Sequence, residues 1–507
     1  MRIDRIVIVG GGSAGWMTAA ILNKSFPEKE ITLIESPNVP IIGVGESTTA
    51  GIQRFMKYLD IKDSEFMPVT NATYKASIKF SGFNTKENFH YPFGYAEKST
   101  GNELFDWGLV KDQFDLPVTD YVDTHFPMSA LFNQNKMDMN FLDVERFPWM
   151  AYHFDAIKFG LYLREYKCKG VEHIQSEVVG IEKSESGIES LTLDNGQVIT
   201  ADLFVDCTGF KSMLLGETLE EEFKSYADVL PNNKAWAVQI PYKDKKSEMR
   251  PYTNCTALGN GWAWHIGVWD RLGNGYVFSD KYVSDEDALE EFKQYLMSDK
   301  MSIPRSREEV DSYNYRLVPF KVGVYNRTWV KNVVGIGLSA AFLEPLESNG
   351  LQFVHESLFY LIDTLDRGNV NRIDRDMYND RTYQYFNEFA RFIALHYAIS
   401  DRADTKYWQD IQEREYDYHP EIAAGLLDNY TFSDIDAGSV FILIGNGYNF
   451  AGRVASKIQK EFYDNGDHTL LYGSLQARKD FWINEAEKCM LHYDYLLFRI
   501  YGLDYNA

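Results

Sequence analysis

RIVIVGGGSAGWMTAAIL, residues 5–22, joins an apolar β-type run to a glycine-rich turn and then to an apolar stretch of helical period. Gly10, Gly12 and Gly15 stand in the spacing G-x-G-x-x-G. The first glycine permits a tight turn, the second lets backbone approach a pyrophosphate, and the third lets helix and strand pack closely. Ser13 and Ala14 then fall in the first helical turn, where oriented N–H groups and the positive end of the helix dipole receive phosphates. EITLIES, residues 30–36, reads as a second strand and carries Glu35 twenty residues after Gly15. A carboxylate there accepts hydrogen bonds from ribose hydroxyls. The expectation is a Rossmann-type βαβ unit that binds a dinucleotide. Its rival, a glycine-rich turn without a ligand, leaves the placement of Glu35 unexplained.

With 507 residues the chain is long for a single core, so more than one packed region is expected. Its 45% hydrophobic and 25% charged content is that of an ordinary globular protein. Aromatics are abundant at 15%, which suits large aromatic cores and also a pocket for flat, electron-rich molecules. A net charge of −23 argues against nucleic acid or an anionic membrane as a partner. Cys168, Cys207, Cys255 and Cys489 are widely spaced, which points to reduced thiols and to no zinc site. The sequence starts without a basic, cleavable leader and has no run of about 18 apolar residues, so a soluble cytoplasmic protein is expected.

Two later segments choose between nucleotides. DNGQVITADLFVDCTGF, residues 194–210, reads as a hairpin strand followed by an apolar strand ending at Asp206, and upstream SEVVGIEK sets Val178 where it can lie against an adenine. WVKNVVGIGLSAAFLEPLESNGLQF, residues 329–353, reads as strand, glycine turn and helix. A site built from these and the N-terminus resembles the flavoprotein monooxygenase fold, which binds FAD. That fold usually has Gly-Asp in the third segment, whereas this chain has Gly337-Leu338. The fold class expected is α/β, a Rossmann-type βαβ sheet with a second mixed β-sheet, followed by a mainly helical C-terminal region. Domains are expected at 1–360 and 361–507.

FLEPLESNGLQF also sets Glu344 and Glu347 around a proline in apolar surroundings. Burying a carboxylate costs several kcal/mol or more unless it is paired, and the remaining motifs suggest why one is there. GGGSAGWMTAA at 10–20, GVGESTT at 43–49, YKASIKF at 74–80, FHYPFG at 89–94, YHFDAIKFGLYL at 152–163, GWAWHIGVWDR at 261–271, FLEPLESNGL at 342–351 and FARFIALHYAISDRADTKYW at 389–408 together resemble the flavin-dependent tryptophan halogenase family. The resemblance runs from residue 5 to about residue 410. It implies that reduced FAD, dioxygen and halide (chloride, bromide or iodide) give hypohalous acid, which a lysine delivers to the substrate. By its place in IKF that lysine is Lys79, with Lys75 as its rival. A desolvated lysine, its pKa adjustable by burial, suits the task better than arginine.

The same resemblance implies that Glu347 orients the oxidant and stabilises or deprotonates the cationic arenium, whereas Glu344 reads as structural. Backbone N–H groups of Asn349 and Gly350 would hold the halide; the family has Thr where this chain has Asn349. Gly45, Glu46 and Leu351 join the cofactor contacts. Trp262 and Trp264, which alternate and so share a face of a strand, would keep substrate away from the flavin. The family has Pro at the position of Gly267. Phe93 would stack on the substrate ring, with Tyr91 in the pocket wall in place of the family's His. Free-tryptophan enzymes grip the amino acid with a C-terminal set of paired Tyr, Glu and Phe-Trp. The comparable region here, with Tyr448 and Phe450, lacks it. The substrate expected is therefore an indole, a phenol or another small electron-rich arene. No independent NAD(P)H site is legible, so a separate NAD(P)H-dependent flavin reductase would supply FADH2; a homo-oligomer is compatible with all of this. The competing functions are an FAD-dependent aromatic hydroxylase and a non-enzymatic FAD-binding protein.

Overall fold

A parallel strand covered on both faces is apolar along its whole length, as RIVIV is. In the computed structural model Ile6, Val7, Ile8 and Val9 are all buried. The structure describes residues 2–38, 46–85, 88–94, 107, 110–111, 113–143, 150–414 and 468–503. Gly45, the side chain of Glu46, and Tyr448 and Phe450 lie outside the described residues. The chain divides into two compact units, each made of three separated stretches: 1–72, 153–233 and 319–390 in one, and 73–152, 234–318 and 391–507 in the other.

The first unit holds a six-stranded sheet in the order Trp329–Val330, Val333–Gly335, Leu203–Asp206, Arg5–Val9, Glu30–Glu35, Glu172–Gln175. All pairings are parallel except that of Trp329–Val330 with Val333–Gly335. The three segments expected to build one nucleotide site are thus neighbouring strands, with Ile6 opposite Leu203 and Phe204 opposite Val333. The helix Ser13–Ser25 follows the first strand directly, and its Trp16 N–H donates to Gly12 O at 3.1 Å. Val7, Val9, Ile34, Phe204, Leu214, Leu215 and Val333 form the core beneath. Each such side chain stabilises the fold by about 1.5–3 kcal/mol on burial.

The second unit is organised by a seven-stranded mixed sheet. Six of its strands run Lys234–Ile240, Leu272–Phe278, Gly261–Gly267, Tyr252–Leu258, Ser77–Ser81, Phe89–Pro92, with the Tyr252–Leu258/Ser77–Ser81 pair parallel and the others antiparallel. The helix Asp285–Met297 covers it with Ala288, Phe292, Tyr295 and Leu296. Ser284 caps that helix by accepting from Asp287 N–H at 3.1 Å, as its sequence position indicates.

The later chain is mainly helical, at Gly350–Leu365, Arg372–Ala398, Lys406–Gln412 and Thr469–Glu487. The apolar periodicity of 479–503 reads as one continuous helix, but the chain leaves it after Glu487. Met490–Leu491 instead pairs antiparallel with Lys136–Met137, and His492 N–H donates to Asn135 O at 2.8 Å. Beside this pairing Lys136 Nζ donates to Glu487 O and Cys489 O at 3.3 and 2.9 Å, where the end of the helix leaves carbonyls open.

Candidate flavin and substrate sites

In open α/β sheets ligands bind beyond the C-terminal ends of the strands, and three such ends meet here at Gly10, Cys207 and Ile336. Gly10 N–H donates to Ile34 O, Cys207 N–H to Val9 O and Ile336 N–H to Asp206 O, at 2.8, 2.8 and 2.9 Å. Gly10 has φ +117°, and a Cβ on it would lie 2.2 Å from Cys207 O. A Cβ on Gly15 would lie 1.8 Å from Gly10 O. Above Gly12, in contrast, a Cβ would meet nothing within 4 Å. The first and third glycines are therefore demanded by the fold itself, while the second leaves its backbone open to a ligand.

Gly337, at φ +70°, begins a short 3-10 turn through Ser339 that includes Leu338, and its Cβ position lies 3.0 Å from Ala14 Cβ. The third segment thus sits against the first turn of Ser13–Ser25. Ser13 Oγ is engaged with Ala156 O at 3.1 Å. Ser176 N–H donates to Glu35 O at 3.0 Å, which brings the strand start at Val178 beside the end of Glu30–Glu35. Glu35 Oε2 lies 2.9 Å from His173 Nε2, a partner the sequence reading missed; nothing in a lone His on a mixed-polarity strand marks it. Open backbone at Gly12, N–H donors at a helix N-terminus and a carboxylate acceptor at Glu35 form a set that fits the pyrophosphate and ribose of FAD.

Glu347 is buried, in the turn Pro345–Glu347, and the chain reverses through Ser348 at φ +58°. Ser348 Oγ donates to Ser47 Oγ at 2.9 Å, and Thr49 Oγ1 bonds Gln352 Oε1, so the ESTT segment is tied to the helix Gly350–Leu365. Leu351 is buried in the first turn of that helix. Asn349 precedes it, wholly buried, with neither amide atom hydrogen-bonded among the described residues. Beyond Gly350 a Cβ would meet open space. Gly350 opens the helix, and the N–H groups of a helix N-terminus suit a halide. Glu344, also buried, accepts from Asn232 Nδ2 at 2.7 Å, a structural bond in keeping with its expected role.

In the second unit the sheet register sorts the expected residues onto faces. Lys79 lies opposite His90 and Asn254, whereas Tyr91 lies opposite Ile78, and Trp264 opposite Cys255. Side chains alternate along a strand, so Tyr91, Trp262 and Trp264 share one face and Lys79 is on the other. Lys79 Nζ is 6.0 Å from the Tyr252 ring centroid, and burial, then the nearby Arg250 guanidinium, lower its pKa. His90 beside it stacks on Phe132 at 4.5 Å and is held neutral, its pKa pushed down by burial, and secondarily by Lys79, to about 3.

Lys75 behaves differently. It ends the strand Thr73–Lys75, before a break at Ala76 where Ala76 N–H donates to Pro251 O and Phe93 N–H to Ala76 O. The lysine is wholly buried, its Nζ 5.0 Å from the Phe93 ring centroid. Phe93 meets Tyr91 edge-on at 6.0 Å, and Tyr91 meets Phe392 at 6.3 Å. Geometry therefore groups Lys75, not Lys79, with the aromatic residues expected to hold substrate. Trp262 and Trp264 are buried with ring centroids 6.3 Å apart. The strand runs unbroken through Gly267, whose Cβ position is 2.9 Å from Tyr242 Oη.

Among the described residues no helix is long and apolar enough to cross a membrane, and no three His, Cys, Asp or Glu side chains converge on a metal-sized site. A cavity of about 360 Å³ lined by Leu219, Arg327, Trp329 and Arg375 includes none of the expected site residues.

The fold and the first unit's glycine cradle define a Rossmann-type flavoprotein. Residues 5–440 match the family model for tryptophan halogenase. The tryptophan 6-halogenase ThaL of Streptomyces albogriseolus is 33% identical over 432 residues, covering 81% of this chain and 79% of that protein. The solved tryptophan 6-halogenase SttH of Streptomyces toxytricini superimposes with TM-score 0.85 at 30% identity over 97% of this chain and 99% of that one. VirX1, solved in its apo form, gives TM-score 0.91 at 34% identity, covering 99% of this chain and all of that one. The chain belongs to the tryptophan halogenase family. Membership makes it a flavin-dependent enzyme that halogenates an aromatic substrate and uses FAD and a halide.

Proposed function

We propose that the enzyme makes hypohalous acid and that Lys75, rather than Lys79, delivers it to a small electron-rich arene such as an indole or phenol. The observation that carries this reading is the wholly buried Lys75, its Nζ 5.0 Å from the ring of Phe93, which itself meets Tyr91 edge-on. When bound, reduced flavin would supply two electrons to dioxygen and the halide would give up two more, so that FADH2, O2, halide and a proton yield FAD, hypohalous acid and water. Gly350 N–H at the helix start holds the halide before that step.

The Lys75 ammonium donates a hydrogen bond to the oxygen of hypohalous acid and so makes its halogen electrophilic. As the ring carbon bonds the halogen, the O–X bond breaks and the leaving oxygen takes the lysine proton as water. The ring then loses its proton to a carboxylate base, the role that the family resemblance gives to Glu347. Arene and hypohalous acid thus give haloarene and water. Residues 1–360 carry the flavin, halide and aromatic contacts in this reading, and 361–507 supply the cover of the substrate, as Phe392 does for Tyr91. FADH2 comes from a separate NAD(P)H-dependent reductase.

The test is mass spectrometry of an indole and phenol panel with supplied FADH2, oxygen, catalase and each of chloride, bromide and iodide. Wild type and Lys79→Met are expected to halogenate, and Lys75→Met to lose about 10²–10⁴ in turnover, the range for removing a positioned proton donor. Loss in Lys79→Met alone would return the role to Lys79. Hydroxylated product without halide would make the chain a monooxygenase.

A further inference from the structure

The acid at the end of Glu30–Glu35 is not held by its own strand alone. The neighbouring parallel strand Glu172–Gln175 places His173 opposite Leu33, two residues before Glu35, so His173 and Glu35 share a sheet face. His173 Nε2 and Glu35 Oε2 are 2.9 Å apart. The imidazole is itself fixed edge-on against Trp16, with ring centroids 5.0 Å apart. From the other side Glu35 lies over Gly11: a Cβ there would be 2.3 Å from Glu35 Cδ and 2.5 Å from Oε1. Gly11 is not one of the three fingerprint glycines, and this close approach explains it. Neither acid nor imidazole is sealed in, with 18% and 24% of their side chains exposed.

A single partly buried imidazole–carboxylate hydrogen bond contributes only on the order of 1 kcal/mol net to the fold, so stability does not account for a carboxylate gripped on two sides. We infer that His173 is a positioning residue for the cofactor: its Nε2–H holds Glu35 Oε2, and Gly11 gives the carboxylate room, so that Oε1 is preset to accept from the hydroxyls of an unphosphorylated adenosine ribose. The inference rests on the reading of this site as the FAD site. A carboxylate with one oxygen fixed loses less rotamer freedom on binding, and its charge disfavours a 2′-phosphate.

The experiment titrates the apo full-length chain with FAD, ADP, 2′-deoxy-ADP, 3′-deoxy-ADP and FMN by calorimetry, with thermal melts to confirm folding. His173→Phe keeps a ring against Trp16 but has no donor; His173→Gln restores an N–H. His173→Phe is expected to weaken FAD and ADP by about 5–20-fold, the effect of a lost charge-assisted bond, and to leave FMN unchanged. The preference of wild type for ADP over one of its deoxy analogues collapses toward one in His173→Phe. His173→Gln recovers most of the affinity, and Glu35→Gln/His173→Phe binds ADP no more weakly than Glu35→Gln. Unchanged ADP affinity in a folded His173→Phe overturns the role of His173, as does an equal loss for FMN. If wild type bound FMN but neither ADP nor FAD, the assignment of the site itself would fall instead.

Discussion

Gly275→Ala tests whether the tryptophan pair is fixed by the strand beside it. Gly275 lies directly across from Trp264. A Cβ on it would lie 2.0, 2.1 and 2.6 Å from Cη2, Cζ2 and Cζ3, all in the six-membered ring of the indole. Ordinary contact needs about 3.4–4 Å, so the ring must retreat by roughly 1.5 Å or the strands must part. Trp264 is only 7% exposed and has Trp262 as a ring neighbour at 6.3 Å, which leaves little space to retreat into. Overpacking of this sort costs about 1–3 kcal/mol, against which alanine regains at most about 0.5–1 kcal/mol of backbone entropy. Phenylalanine at 264 lacks the outer ring, so Gly275→Ala in a Trp264→Phe background should cost nothing or be slightly stabilising. The assay is a double-mutant cycle in urea, followed by fluorescence and by circular dichroism, and the expected coupling is about 1–3 kcal/mol. Equal cost of Gly275→Ala in both backgrounds would show that the indole does not need the glycine, and the packing argument would fail.

Arg305 and Glu248 form an ion pair at 2.6 Å with side chains 0% and 1% exposed. Arg305→Met strands a buried carboxylate that keeps, among the described residues, the N–H groups of Lys243 and Asp244 as hydrogen-bond donors, and a loss of about 3–5 kcal/mol is expected in denaturant titration. Lys79→Met reports on the other sheet face through pH. Burial and Arg250 depress the Lys79 ammonium in the folded state, so the unfolded chain holds that proton to higher pH. Wild-type stability should therefore rise relative to Lys79→Met as pH climbs from the folded toward the unfolded lysine pKa; melts at pH 8 to 10.5 that stay parallel would refute the depression.

The nucleotide-binding architecture was legible because each of its demands falls on a residue type: glycine where Cβ would strike a carbonyl at Gly10 and Gly15, and unbroken apolar runs for buried parallel strands. The lysine was not. YKASIKF offers lysines four residues apart, which in one continuous strand would share a face. The break at Ala76 parts them, and it is set by bonds to Pro251 and Phe93, far away in sequence. Cross-strand register then sends Lys79 to the side of His90. The partnership of Glu35 with His173 was hidden for the same reason, since it depends on which strand becomes the sheet edge. At 488–491 apolar periodicity continued while the backbone changed partners, a case of tertiary pairing overriding local pattern.

The interleaving of the two units has a consequence in time. The strand Arg5–Val9 needs Leu203–Asp206 on one side, and that strand in turn needs Val333–Gly335. A ribosome adding about 5–20 residues each second needs on the order of 10–40 seconds between the first and second of these. Throughout that wait the apolar strand Arg5–Val9, paired on one side with Glu30–Glu35, has no partner on the other, and intervening residues 73–152, which belong to the other unit, emerge first. Synthesis therefore cannot finish one unit before beginning the next. The nascent chain must keep an incomplete sheet soluble, which makes expression yield depend on translation speed and on holding chaperones more than on the stability of the finished enzyme.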